Sequence, residues 1–429
     1  MNRLIFIPLF ILVLLSLPLQ AQQWNLRDCI DYACENNLQV QNAKLVHSIY
    51  EENLLLAKAQ LFPSVNANSS QSVRFVADND AAYSGSYALQ SAIPIFDGGK
   101  TFKNIQLANI EVKVGSLGTE AIKRDIEVAV THAYLNILYA RENVISADNI
   151  FQTSKAQFER AKELFDEGSV SLSEYLQLES QLYGDEYKIV VAKAALAENV
   201  LKLKQLLELD YRDDFEVCFP EIANEYVLSL VPNVEDVYNR SKDMLPNMKS
   251  SRLGIDKAVI NEEIVASNAL PTISASAYLS SMSLSTSNEI HWKQLNDNME
   301  EGLGISISIP ITNNRQVKTA RAKAKIQTQQ ALLSHLNEAK ELLSNIEVLY
   351  QEVISSQSRF IAAQNKLAAA NQSYNLVNEK FTEGMINPIE LLTEKNTLIS
   401  AQQELLQAKY QALLSMKLLN FYQGQPIEL

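Results

Sequence analysis

Few side chains in this chain are spaced for chemistry, and those that are lie in a stretch that occurs twice. Four histidines (His47, His132, His291, His335) are scattered without metal spacing, and no glycine-rich phosphate loop or nucleophile motif accompanies them, so neither an enzyme nor a cofactor is expected. The three cysteines cannot all pair. Cys29 and Cys34 are five apart, which on a helix points them to different faces, and no C-x2-C or His/Cys spacing suggests zinc. A Cys29–Cys218 bridge is open to an exported chain, as are three free thiols. The carboxylates with a repeated setting are Glu174 and Glu390. Each stands at the third position of a helix start, Ser171-x-x-Glu174 and Asn387-Pro388-x-Glu390, where a carboxylate reaches back to the cap backbone.

These glutamates belong to the copies FDEGSVSLSEYLQLESQL (165–182) and FTEGMINPIELLTEKNTL (381–398), identical at six of eighteen positions. Gly168 and Gly384 stand where a glycine at positive φ stops a helix, so each copy reads as one helix ending and the next beginning. The repeat extends upstream. Leu61-Phe62-Pro63-Ser64 corresponds to Ala269-Leu270-Pro271-Thr272, and Ile93-Pro94-Ile95 to Ile309-Pro310-Ile311. The offsets differ by eight, which places an insertion in a loop between the two prolines of the second copy, around His291-Trp292.

Residues 1–21 read as a secretory signal: Arg3, an apolar run from Ile5 to Leu17, and a small residue, Ala21, with no cysteine beside the cleavage site. Without them 36 basic residues face 50 acidic ones, which disfavours nucleic acid as a partner. With 12 Gly and 11 Pro in 429 residues, the chain has the composition of long helices. Two repeats are expected over 22–215 and 216–429. Each holds a helix (the first from about Leu26 to Phe62), two strands, a long helix and a return helix. The first strand pair spans Ser64–Val76 and about 83–95 with Asp78-Asn79-Asp80 as its turn. The first long helix opens after Asp97-Gly98-Gly99 and runs to about Phe165, and the return helix runs from Ser171 to about Leu209. The second pair spans Thr272–Leu284 and Leu303–Ile311, the next long helix ends near Phe381 and its return helix near Phe421. A linker over 210–233 is expected to pack around the middle of the long helices.

In the last strand Leu303, Ile305, Ile307, Ile309 and Ile311 alternate with Gly304, Ser306, Ser308 and Pro310. One apolar and one small polar face over this length is the pattern of a transmembrane β-barrel strand, while a soluble hairpin is the alternative. Four strands cannot close a barrel, so such a chain must oligomerise.

With these residues in view, the chain resembles the TolC-like outer-membrane efflux proteins. The resemblance is carried by Trp24–Leu38, Leu61-Phe62-Pro63-Ser64, Ile93–Gly99, Val130–Leu135 and both Phe-x-x-Gly turns, and it covers essentially all of the mature chain. It implies a mainly α fold with a transmembrane β-barrel portion: a homotrimer with four β-strands per protomer, a 12-stranded barrel among outer-membrane lipid and an α-barrel in the periplasm. It further implies docking to a periplasmic adaptor (membrane fusion) protein and an inner-membrane pump of RND or ABC type. The resemblance assigns Phe165, Gly168, Ser169, Val170, Phe381, Gly384, Met385 and Ile386 to the periplasmic tips that meet the adaptor. It makes Glu174 and Glu390 pore-lining candidates, six carboxylates in a trimer, which would favour cations. Pro63, Pro94, Asp97, Gly98, Gly99, Pro271, Pro310, Asn313 and Asn314 mark the strand–helix junctions. Two departures stand out. Some members lock the closed tip with an Arg or Tyr where this chain has Ile386 and Phe381, which points to an apolar constriction. The second junction, Thr312-Asn313-Asn314-Arg315, lacks the double glycine, though asparagine can adopt the left-handed turn. A periplasmic coiled-coil adaptor or structural protein is the alternative, but it would need one hairpin flanked by small β-domains.

Overall fold

The computed structural model describes residues 23–75, 82–210, 212, 214–220, 222–284 and 291–429. The expected signal over 1–21, the Asp78-Asn79-Asp80 turn and Val76 lie outside them. In chain order the elements are β1 (Gln23–Trp24), α1 (Leu26–Asn36), α2 (Leu38–Ala59), β2 (Ser64–Arg74), β3 (Ala82–Phe96), α3 (Lys100–Asp166), α4 (Leu172–Leu206), β4 (Glu216–Val217), α5 (Asn224–Val227), α6 (Val234–Met244), α7 (Pro246–Ser267), β5 (Thr272–Leu284), α8 (His291–Asp297), β6 (Glu300–Ser308), α9 (Gln316–Thr382) and α10 (Pro388–Tyr422). The repeat shows in the lengths: α1 and α6 have 11 residues, α2 and α7 have 22, α3 and α9 have 67, α4 and α10 have 35.

The single helix expected over Leu26–Phe62 is broken. Asn37, buried and extended (φ −61°, ψ 133°), donates to Leu206 O at 3.0 Å and accepts from the Gln39 N–H at 2.9 Å, so one side chain ends α1 and caps α2. The second copy breaks between Met244 and Pro246, where a proline at the first helical position does the same work. The expected strand over Leu303–Ile311 also needs correction: β6 runs Glu300–Ser308 and leaves Ile309-Pro310-Ile311 outside it. Its partner among the described residues, β5, begins at Thr272 opposite Ser308, and Pro310 has no N–H to offer.

Two compact units form, and neither coincides with a repeat. One comprises residues up to Gln41, Ile122–Ser241 and Leu343–Leu429. Its apolar core gathers Leu26, Cys29 and Ile30 from α1, Val130, Tyr134 and Ile137 from α3, Leu203 and Leu207 at the end of α4, and Leu413, Phe421 and Ile427. The linker contributes β4, which pairs in parallel with β1, and α5, whose buried Val227 clusters with Phe360 of α9 and Ala408 and Ala412 of α10. This agrees with a linker packed on long helices, but the β1–β4 pair was not expected. No disulfide forms: Cys29, Cys34 and Cys218 are free thiols, so the Cys29–Cys218 bridge is absent. Cys218 is held without it, by its N–H on Trp24 O at 2.8 Å and by the Tyr134 hydroxyl donating to its carbonyl at 2.6 Å. Burial pushes the Cys29 thiol up to about 12.

The other unit, Asn42–Ala121 and Lys242–Leu342, holds an antiparallel four-stranded sheet in the order β2-β3-β5-β6. Seven residues separate β2 from β3 and fifteen separate β5 from β6; the longer connection carries α8. Pro94 lies inside β3 opposite Ser274 of β5, beside a register shift and two residues beyond the last β2 pairing at Ala92, so no β2 residue needs its missing N–H.

Candidate functional site

Both tips, with α4, α10 and the parts of α3 and α9 from Ile122 and Leu343 onward, belong to the first unit. At the first tip α3 ends in a Schellman turn: Gly168 at φ +76° donates to Phe165 O at 2.9 Å and Ser169 to Leu164 O at 2.8 Å. At the second, Gly384 at φ +71° donates to Phe381 O at 2.9 Å and Met385 to Lys380 O at 2.9 Å. Gly168, Ser169, Gly384 and Met385 are exposed, and Val170, Ile386 and Phe165 are half-buried. Phe381 is fully buried in a cluster with Leu178, Tyr374, Leu391 and Leu398, so it closes the hairpin from inside, and Ile386 packs against the same cluster.

The two glutamates are not equivalent. The Glu174 carboxylate accepts from the Ser171 N–H at 2.7 Å and hydroxyl at 2.8 Å, while Ser171 Oγ accepts from the Glu174 N–H at 3.3 Å. These bonds hold the Glu174 carboxyl below its usual value. At the second tip the reciprocal box expected for Glu390 does not form. Asn387 Oδ1 accepts from the Glu390 N–H at 3.1 Å, but among the described residues no bond returns from the Glu390 carboxylate, which is exposed. With the shorter Asn387 as cap and Pro388 at the first helical position, the start of α10 is fixed without it.

Behind the tips lies a buried polar node that the motifs did not point to. Lys395 of α10, 2% exposed, meets Asp185 of α4 at 3.2 Å and also donates to Ser154 of α3. Asp185, 0% exposed, accepts from Ser154 at 2.5 Å, Gln181 at 3.0 Å and Lys188 at 2.9 Å. Gln157 of α3 extends the node to Tyr374 (2.8 Å) and Asn378 (3.1 Å) of α9. Burial alone would push the Asp185 carboxyl up, but the bonds from Lys188, Ser154 and Gln181 and the Lys395 charge hold it below its usual value. Burial pushes the Lys395 ammonium down, and Asp185 offsets part of this. All four helices are thus pinned at one level. The signal was present in the pattern: Lys395 interrupts the apolar series Leu391, Leu398 and Asp185 the series Leu178, Leu182, Ile189, Ala192.

The junction residues lie in the other unit. Pro63 and Pro271 immediately precede β2 and β5. Asp97 accepts from the Thr101 N–H at 2.8 Å and caps α3, while Gly98 and Gly99 take φ +71° and +81°. A Cβ on Gly98 would meet Ser267 O at 3.0 Å. The second copy makes the same turn without glycine: Asn314 and Arg315, 216 positions on, take φ +47° and +66°, and Asn313 O accepts from the first N–H of α9 at 2.8 Å.

Comparison with known proteins places this geometry. The family described as outer membrane efflux protein matches residues 29–208 and 237–425. The chain is 22% identical over 447 residues to the alkaline protease secretion protein AprF of Pseudomonas aeruginosa, covering 97% of this chain and 88% of that one. It is 20% identical over 396 residues to the outer membrane efflux protein BepC of Brucella suis, covering 90% and 83%. The fold matches the outer membrane protein VceC of Vibrio cholerae with a TM-score of 0.76 over 94% of this chain and 97% of that one, at 15% identity. Among the described residues the edges of the sheet, β2 and β6, are unpaired in one chain, and a membrane sheet can have no free edge. Three copies supply twelve strands and close it. The chain belongs to the outer membrane efflux protein family, and is an outer-membrane channel protein that extends into the periplasm.

Proposed function

We propose that the trimer is the exit duct of a tripartite assembly, receiving its cargo from an inner-membrane pump of RND or ABC type through a periplasmic adaptor that grips both tips. The observation that supports this most is the exposed apolar surface at the tips: Met385 is 73% exposed, Ile389 57% and Leu172 56%, on turns held rigid by the cluster and the node behind them. In this reading Gly168, Ser169, Val170, Gly384 and Met385 form the contact, while Phe165, Phe381 and Ile386 shape it from within. The names of AprF and BepC, one a secretion and one an efflux protein, favour a duct whose cargo is chosen by the pump. A photo-crosslinker at Met385 in growing cells tests the reading. Capture of an adaptor is the expected result; an uncrosslinked channel, with a crosslinker at a lipid-facing strand position still active, overturns the tip contact.

A further inference from the structure

Residues directly opposite in a β-ladder share a face. Leu303, Ile305 and Ile307 of β6 stand opposite Ala277, Ala275 and Ile273 of β5, and the same face continues through Ile93, Ser91 and Leu89 of β3 to Val65 and Ala67 of β2. The first three are 90%, 72% and 62% exposed in the single chain, so this is the face that meets lipid. The other face of β5 and β6 carries Ser274, Ser276, Gly304 and Ser306.

Toward the loop end the lipid face turns polar, through Gln71, Gly85, Ser281, Ser283 and Glu301. From Ile273 to Ser283 a strand rising about 3.3 Å per residue at about 45° tilt covers roughly 23 Å of the membrane normal, close to the height of an apolar barrel band. The rim of the bilayer therefore falls at Ser281 and Ser283. α8 lies over that rim on the lipid side. Ser281 Oγ donates to Leu295 O at 2.5 Å, the Leu284 N–H to Gln294 Oε1 at 2.8 Å, and Asn298 Nδ2 to Met282 O at 2.8 Å. Ser283 is left only 2% exposed and Gln294 5%. Trp292 is 76% exposed and Lys293 is exposed beside it. On the same face at the same end, Gln71 receives the Tyr83 hydroxyl and donates to the Tyr87 hydroxyl at 2.9 Å, which gathers two more aromatic rings with polar tips.

We propose that α8 is an interfacial foot: it lies in the headgroup layer of the outer leaflet, with the Trp292 ring at the boundary between acyl chains and headgroups and Lys293 among the lipid phosphates. Its occupant is lipid, because α8 continues the lipid-facing wall. The inference rests on the outer-membrane location and is independent of the adaptor contact. The chain has two tryptophans, so Trp24→Phe leaves Trp292 as the sole emitter, under excitation at the red edge where tyrosine does not absorb, in the full-length trimer in phosphatidylcholine vesicles. A nitroxide on the headgroup should quench Trp292 at least about twofold more strongly than one at carbon 12 of the acyl chain, as befits an interfacial ring. Three results overturn the proposal: full access to aqueous iodide with no effect of either lipid label, stronger quenching by the deep label, or shielding from every quencher, which would place α8 in a contact between protomers. Should Trp24→Phe fail to assemble, the difference between the wild-type and Trp292→Phe trimers reports the same quantity.

Discussion

The first and second tips turn on the same backbone, with glycines at φ +76° and +71° closing helices of equal length, yet they are held by different chemistry. Phe165 lies half-exposed on the Tyr175 ring, centroids 5.3 Å apart, and Tyr175 in turn contacts Phe158 at 5.3 Å. Its counterpart Phe381 is 1% exposed, inside the cluster that joins both hairpins. The carboxylate of Glu174 is occupied by its own helix start, and that of Glu390 is not. The difference teaches that duplication preserved the turn, which glycine and helix periodicity dictate, while the packing around it diverged. The first tip stands on local contacts; the second shares the core that the four helices have in common.

The largest expected effect breaks the comparison if it fails. Phe381→Ala removes a fully buried ring and should cost about 3–5 kcal/mol, while Phe165→Ala, half-exposed, should cost less than about 2. Denaturant midpoints of the two purified trimers, read by helical circular dichroism, compare them; equal losses would mean that the tips are equivalent after all. The node comes next. Asp185→Asn leaves the Lys395 ammonium without a buried anion and should cost about 3 kcal/mol, whereas Asp185→Leu with Lys395→Met together should recover most of it. A double variant as damaged as the single one would mean that the node holds the hairpins by hydrogen bonding through Ser154 and Gln157 rather than by the ion pair.

Much of this is legible in the sequence. The glycine stops, the Ser171–Glu174 box, the Pro63 and Pro271 boundaries and the alternating strand at Leu303–Ile307 are local signals, and each appears where the pattern put it. What escaped depends on partners distant in the chain. Asn37 breaks a helix because Leu206 O, 169 residues away, receives its amide; nothing beside Asn37 announces it, whereas Pro246 announces the matching break. The ion pair of Asp185 with Lys395 joins residues 210 apart. The pattern overruns the end of β6 because alternation continues through Ile309 and Ile311 after the partner strand has run out. Asn314 and Arg315 show the converse: the turn persists where its glycines are gone, held by the flanking strand and helix.

A smaller effect separates the tips by acid. A carboxyl held below its usual value stabilises the fold above that value, near 4.5 for Glu174, and loses the contribution as pH falls through the shifted one. The second cap uses the Asn387 amide and carries no such dependence. Amide exchange, corrected for intrinsic rates, should therefore loosen at Ser171 and Glu174 as pH falls below 4.5 while Glu390 stays protected. Parallel loosening at both tips would trace the change to the shared core, where Asp185 titrates with the same sign.

The smallest change in stability carries the sharpest test of the pore. Glu390→Gln removes a charge with no hydrogen-bonded role among the described contacts, so the fold should be unmoved, and cation preference in a planar bilayer should fall if the exposed carboxylates of three chains line the narrow end. Glu174→Gln should do the reverse: it weakens the Ser171 cap, by less than about 1 kcal/mol because the glutamine oxygen still accepts the Ser171 N–H without the charge, and changes selectivity less, because that carboxylate is already turned onto its own backbone. If both variants keep the wild-type ion preference, the acidic ring is only a pair of helix starts. If Glu174→Gln shifts selectivity more than Glu390→Gln, the capped carboxylate faces the pore while it caps, and the division of labour between the two tips is reversed.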